Sequence, residues 1–187
     1  NNKGKPVRQY EPFFSASQAF EFGKANGVSP VLLYDPPGRV VGTLRPDHSY
    51  EKTSFDPWKS TTWDVNDTVL VTDPRLDPDL GDYFARLPTA DFLPTWYTVR
   101  SGGGLGPAEQ SAAVKAAAHA ATPALACFDS LYRPFLRLAD NGAQQFITRS
   151  EIDIEGQVLS VTDALGRRVL DYAVRPGPPL ASGYDVA

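Results

Sequence analysis

From Ser29 to Leu70 apolar and polar positions alternate in short runs, each interrupted by Pro, Gly, Asp or Ser. The runs read VLLYD, RVVGTL, YEKTSF, DPWKS, TTWDVND and TVLVT, with RPDHS as a turn. Alternation with β-branched and aromatic enrichment predicts strands joined by tight turns. The same character returns from Leu125 in ALACFD, RPFLRLAD, QQFITRSEIDI, QVLSVTD and RRVLDYAV, before a loop-like tail. Between these halves the period changes. A glycine run, SGGGLG, leads to Pro107 and an Ala-rich stretch that Thr122-Pro123 stops. Proline suits a first helical turn, Glu109 suits the positive helix end, and alanine has the highest helix propensity. This predicts a helix whose small side chains let it lie close against a sheet.

Three other stretches are less regular. Residues 1–14 are polar, then aromatic (Tyr10, Phe13, Phe14), and read as an extended arm. Residues 15–29, SASQAFEFGKANGVS, fit a short helix capped by Ser15 or Ser17, but AFEF alternates as a strand does, which is the preferred reading. In Asp73–Pro88 the acids and prolines predict a loop, with a short helix in DLGDYFARL capped by Asp79. The predicted organisation is an arm over 1–28, a β region over 29–100, the loop and helix over 101–123, and a second β region over 124–187. The fold class is mainly β, antiparallel strands and hairpins with one inserted helix.

Composition narrows the function classes. The chain has 187 residues, enough for one domain or part of something larger. Its net charge is -4, 21% of residues are charged, and no basic block stands out, which argues against a nucleic-acid partner. No apolar run approaches the ~18 residues of a membrane span. The start lacks the apolar core of a signal peptide, and there is no Met anywhere, so the chain reads as an excised or processed segment of a longer protein. Cys127 is the single cysteine, so an internal disulfide and a cysteine-based zinc site are excluded. Ten Phe, eight Tyr and three Trp supply burial that a disordered chain lacks.

A short signature recurs: an aromatic or apolar residue, Asp, two variable residues, Gly, often Arg. It appears as YDPPGR (Tyr34, Asp35, Gly38, Arg39), IDIEGQ (Asp153, Gly156) and TDALGR (Asp163, Gly166, Arg167). Imperfect copies are FDPWKS (Phe55, Asp56) and FDSLYR (Phe128, Asp129), and a further pair is Tyr184-Asp185. The Asp spacings are 21 (35 to 56), 24 (129 to 153), 10 (153 to 163) and 22 (163 to 185). A period near two dozen residues suits a strand pair with its turns. The signature is turn chemistry. Asp at the first position accepts backbone N–H bonds, Gly at the fourth tolerates positive φ, and Pro36 presets φ at the second. The flanking aromatic and Arg belong to the incoming and outgoing strands.

The Y-D-x-x-G-R string at this spacing resembles the RHS or YD repeats. NNKGKPVRQYEPFFS, GVSPVLLYDPPGRVVGTLRPDHSYEKTSFDPWKSTTWDVNDTVL, DPDLGDYFARLPTADFLPTWY, and LGPAEQSAAVKAAAHAATP followed by FDSLYR resemble the C-terminal part of the B component of bacterial insecticidal toxin complexes. Together these strings cover most of residues 1–175. The resemblance implies a secreted or cell-surface protein in which B and C components wind repeats into a hollow β-shell. The shell holds the toxic region of the C component and docks on a pentameric, pore-forming A component. It implies a wall segment of the container, without direct membrane insertion, catalytic residue, cofactor or metal. Aspartyl self-cleavage in the family belongs to a later region with no match here. Two copies depart from the signature: Tyr132 replaces Gly, predicting another turn geometry, and Lys59-Ser60 replaces Gly-Arg.

The remaining residues offer little rival chemistry. His48 lies in a proline-flanked turn and His119 in the Ala-rich helix, neither in a ligand set. Cys127, eight residues after His119, reads as a buried thiol. The acids Asp73, Asp77, Asp79 and Asp82 are the best metal candidates, but they depart from calcium-loop spacing and read as a solvated acidic loop. A metal-assisted hydrolase would need them. Trp58, Trp63, Trp96 and Tyr97 suit a sugar platform or the filling beneath turns. They support the alternative of a secreted carbohydrate- or protein-binding β module. SGGGLG lacks the Lys-Ser/Thr ending of a phosphate loop and reads as a hinge or close-packed turn.

Overall fold

The computed structural model describes residues 1–10 and 12–172, so the Tyr184-Asp185 pair lies outside the described residues. The fold is mainly β, with nine strands whose described pairings join sequence neighbours antiparallel, and a few short helices. The described residues divide into two compact units, one drawn from residues 1–54 and 63–121, the other from 55–62 and 122–172.

The first unit is built on β1 (Val31–Tyr34), β2 (Val40–Leu44) and β3 (Tyr50–Phe55, up to Ser54). Register places Val31, Leu44 and Tyr50 in one row and Leu33, Gly42 and Lys52 in the next. Period-two alternation puts both rows on one face, and that face is buried. The cover comes from the segment after β3: 3-10 turns at Pro74–Leu76 and Thr89–Asp91, α1 (Gly81–Phe84) and α2 (Trp96–Ser101). Leu80, Phe84 and Phe92 fill the core, with Phe84 edge-on to Tyr50 (ring centroids 5.1 Å apart) and Phe92 (5.4 Å). Gly42 is required by this cover, since a Cβ there would stand 2.5 Å from Leu80 Cδ1. The first residues run along the outside of β1: Leu32 N–H donates to Val7 O, Tyr34 OH to Pro6 O, and Val7 packs on the core.

The second unit is a meander of β4 (Lys59–Trp63, up to Thr62), β5 (Ala124–Phe128), β6 (Pro134–Asp140), β7 (Gln145–Ile152), β8 (Val158–Thr162) and β9 (Arg168–Asp171). A register shift precedes the aspartate in three of its hairpins, at Cys127/Phe128, Glu151/Ile152 and Val161/Thr162.

Several local expectations are corrected. Residues 12–30 contain neither strand nor helix. The AFEF alternation has nothing to bury it, and Phe20 and Phe22 stay about nine-tenths exposed. TVLVT is not a strand: Asp64 Oδ1 accepts the N–H groups of Asn66 and Asp67, Asp67 Oδ2 accepts that of Asp64, and the chain goes into consecutive turns through Val71. Within the expected β region over 29–100, Trp96–Ser101 is helical, capped by Thr95 Oγ1 accepting from Thr98 N–H. The short helix near residue 80 exists, but Asp79 does not cap it; Asp77 accepts the N–H groups of Asp79 and Leu80 instead. The Ala-rich helix, α3 (Pro107–Ala117), forms as expected and ends before His119. Its packing partner is α2, where a sheet was expected, and Arg100 Nε donates to Glu109 at 2.7 Å.

Candidate functional site

The recurring aspartates make a common local machine. In the 35–39 turn Asp35 N–H donates to Arg39 O and Gly38 N–H to Asp35 O. Asp35 Oδ1 accepts the N–H groups of Gly38 and Arg39, at 2.8 and 2.7 Å, and Oδ2 accepts Arg39 Nε at 2.7 Å. Gly38 has φ 93°, closing a turn with a one-residue bulge on the outgoing strand. Asp129 repeats this with Leu131 and Arg133 N–H on Oδ1 and Arg133 Nε on Oδ2 at 2.7 Å. Asp163 does so with Leu165, Arg167 and Arg167 Nε at 2.8 Å. Asp153 keeps the backbone part, through Gln157 N–H, but Gln157 stands where the others have Arg. Arg133 reaches across instead, donating from one terminal nitrogen to Asp153 O (2.8 Å) and Ile154 O (3.3 Å).

These bonds hold the carboxylates of Asp35, Asp129 and Asp163 below their usual range. At Asp163 the Arg167 guanidinium dominates; at Asp129 the Arg133 N–H leads. At Asp35 burial, the largest influence, pushes upward but is outweighed by Arg39 and Gly38. The arginine clamp four residues on was not part of the sequence reading, which gave Arg to the outgoing strand alone; the Asp-to-Arg spacing of four was the available signal.

The two departures behave differently. Tyr132 was expected to change its turn, yet it takes φ 60° and Tyr132 N–H donates to Asp129 O, as Gly38 does to Asp35. Its ring stacks on Phe128 at 4.3 Å and 8°, a contact glycine lacks, and this offsets the left-handed backbone cost. The Asp56 turn is one residue shorter: Asp56 N–H donates to Lys59 O, and Asp56 Oδ1 accepts from Trp58 and Lys59.

The acidic stretch at 73–82 is not a solvated loop throughout. Lys52, 7% exposed on the core face of β3, donates to Asp77 Oδ1 (2.9 Å) and Asp79 Oδ2 (2.6 Å), with its Nζ 4.6 Å from the Trp63 ring centroid. Tyr50 OH donates to Asp77 Oδ2 at 2.7 Å. Burial pushes Asp77 upward, but the bonds from Tyr50, Lys52 and the two N–H groups prevail and hold it below its usual range. Tyr50 is raised well above its ordinary value by burial and by Asp77. A lysine ammonium thus occupies the position that a cation bound at Asp77 would need. Asp73 is engaged locally by Arg75. No cluster of three metal-ligating side chains occurs among the described residues.

The remaining candidates are dispersed. His48 has φ 65° and donates from Nδ1 to Pro94 O at 2.8 Å. Cys127 is half-buried in β5, opposite Lys59. Trp63 and Trp96 carry Lys52 and Arg100 on their faces, whereas Trp58 is 61% exposed. The glycine loop spends Gly103 and Gly106 N–H groups on Arg100 O and Gly103 O, so it is a series of tight turns. No helix among the described residues is long and apolar enough to cross a membrane.

No known protein-family profile matches the chain, and no curated protein does. Solved structures do, Tc toxin complexes among them. A crystal structure of TcdB2-TccC3-TEV is 19% identical, with a TM-score of 0.58, over 88% of this chain and 6% of that one. TcdB2-TccC3 without its hypervariable C-terminal region gives 21% identity and a TM-score of 0.54 over the same shares. The Photorhabdus luminescens Tc holotoxin pore with a substituted TccC3 gives 18% and 0.58 over 87% of this chain and 6% of that one. At such identity the likeness is one of fold, and this chain spans a small fraction of the neighbours' length.

Proposed function

We propose that this chain is a wall segment of a hollow RHS-repeat shell that encloses a toxic cargo within a bacterial toxin complex. The observation that carries the reading is the recurrence of one aspartate turn at Asp35, Asp129, Asp153 and Asp163, each joining neighbouring antiparallel strands. Fold likeness to structures containing TcdB2 and TccC3 supports it. In this reading the segment acts mechanically, without its own catalysis. Its partners are the rest of its shell, a C component carrying the cargo and a pore-forming A component, and it works outside the producing cell. Strand pairing between successive hairpins provides a continuous barrier. The test is protease protection of a cargo region co-expressed with the parent protein. Resistance only alongside the intact parent supports the reading, and equal digestion with and without it rejects it. A carbohydrate-binding module has one observation in its favour, the exposed Trp58 ring; glycan-array binding lost in Trp58→Ala would establish it.

A further inference from the structure

We infer that the β4–β7 face of the second unit is a docking surface for an acidic protein segment, whose carboxylate seats on Arg137. The inference stands whether or not the chain is part of a shell. Register aligns Ser60, Ala126, Arg137 and Thr148 across four strands, with Ala139 and Phe146 paired in the row beside them. Because the side chains around the arginine are small, they leave an open trough of about 320 Å³. Phe146, 39% exposed, forms an apolar wall.

Charge singles out what the trough takes. Lys59, Arg133, Arg167 and Arg168 of this unit all pair with carboxylates. The side chain of Arg137 is exposed and, like that of Arg149, makes no hydrogen bond or ion pair among the described residues. No acidic residue lies on its face from β4 to β7. The opposite face differs: Arg149 stands there beside residues of both signs, Glu151 and Arg168 among them. A guanidinium set among small and apolar side chains offers a planar, bidentate receptor for one carboxylate, and covering it strengthens the bond by excluding water. One cation among alanines does not suit a polyanion, whose binding needs clustered charge. The occupant is therefore a polypeptide presenting Asp or Glu between apolar residues.

The test is an NMR titration of the chain with N-acetyl-Leu-Glu-Leu-amide, its Gln analogue and inorganic phosphate. The Glu peptide should shift the amides of Ala126, Arg137 and Ala139. The Gln peptide should bind about tenfold more weakly, the loss of a charge-assisted pair. Arg137→Gln should abolish the shifts and Arg149→Gln should leave them intact, each variant checked for an otherwise unchanged amide spectrum. Equal binding of the two peptides, shifts that persist in Arg137→Gln, or saturation by phosphate alone would overturn the assignment.

Discussion

The two units use the same turns and solve burial differently. Every buried apolar residue of the described part, from Val31 to Ala113, belongs to the first unit, whereas in the second only Ser160 is buried. Both contain antiparallel hairpins with a bulge before the aspartate, at Leu33/Tyr34 in one and Cys127/Phe128 in the other. The first gains a core because the chain after β3 folds back as short helices and lays Leu80, Phe84 and Phe92 on the strands. The second relies on ladder bonds and clamped turns. Turn chemistry therefore sets register in both units, and a core appears only where a second layer is supplied.

The largest test of that contrast is to remove an aromatic ring from each unit. Phe84→Ala removes a fully buried ring and should cost about 4 kcal/mol. Phe146→Ala in the second unit should cost less than about 1 kcal/mol, because that ring is already partly in water. Urea unfolding followed by amide signals of each unit reads both, and equal costs would dissolve the distinction. Next, Lys52→Met strands Asp77 beneath the cover and should destabilise the first unit by about 3 kcal/mol.

The same cluster gives a pH dependence. Asp77 is held below its unfolded value, so its contribution is complete above the unfolded carboxyl pKa of about 4 and is lost as pH falls through the lower folded value. Hydrogen exchange at Leu80 and Phe84 should be steady from pH 7 to about 5 after correction for intrinsic rates and show weaker protection below about 4. Asp77→Asn should start less stable and lack this loss.

Smaller effects probe the turns. Asp129→Asn should raise amide exchange at Leu131 and Arg133 about tenfold and also loosen the 153–157 turn, because Arg133 spans both. Asp163→Asn should act on its own turn alone, since Arg167 clamps only that carboxylate among the bonds described. The smallest expected change is Tyr132→Gly. Relief of the left-handed backbone and loss of the Phe128 stack are each about 1 kcal/mol and opposite in sign, so stability should move by under about 0.5 kcal/mol. A large loss would mean that the stack, and not the aspartate, holds that turn.

What could be read along the chain was whatever closes within about five residues. The Asp-to-Gly spacing and Pro107 at a helix start each act on neighbours through local hydrogen bonds or fixed φ, whereas α3 ends at Ala117 in successive turns, ahead of the Thr122-Pro123 pair expected to stop it. Tyr132 shows the limit of reading even a turn by residue type, since the stacked ring of Phe128, four positions earlier, offsets the left-handed backbone that its place in the turn demands. Tertiary structure decided the rest. AFEF and TVLVT have strand patterns, but a strand is stable only with a partner ladder and a face to bury, and neither segment meets one. Lys52 alternates like a core position and carries a charge; only the arrival of Asp77, 25 residues later, makes its burial tolerable. Burial and charge pairing depend on what another part of the chain brings to a surface, and no local pattern carries that information.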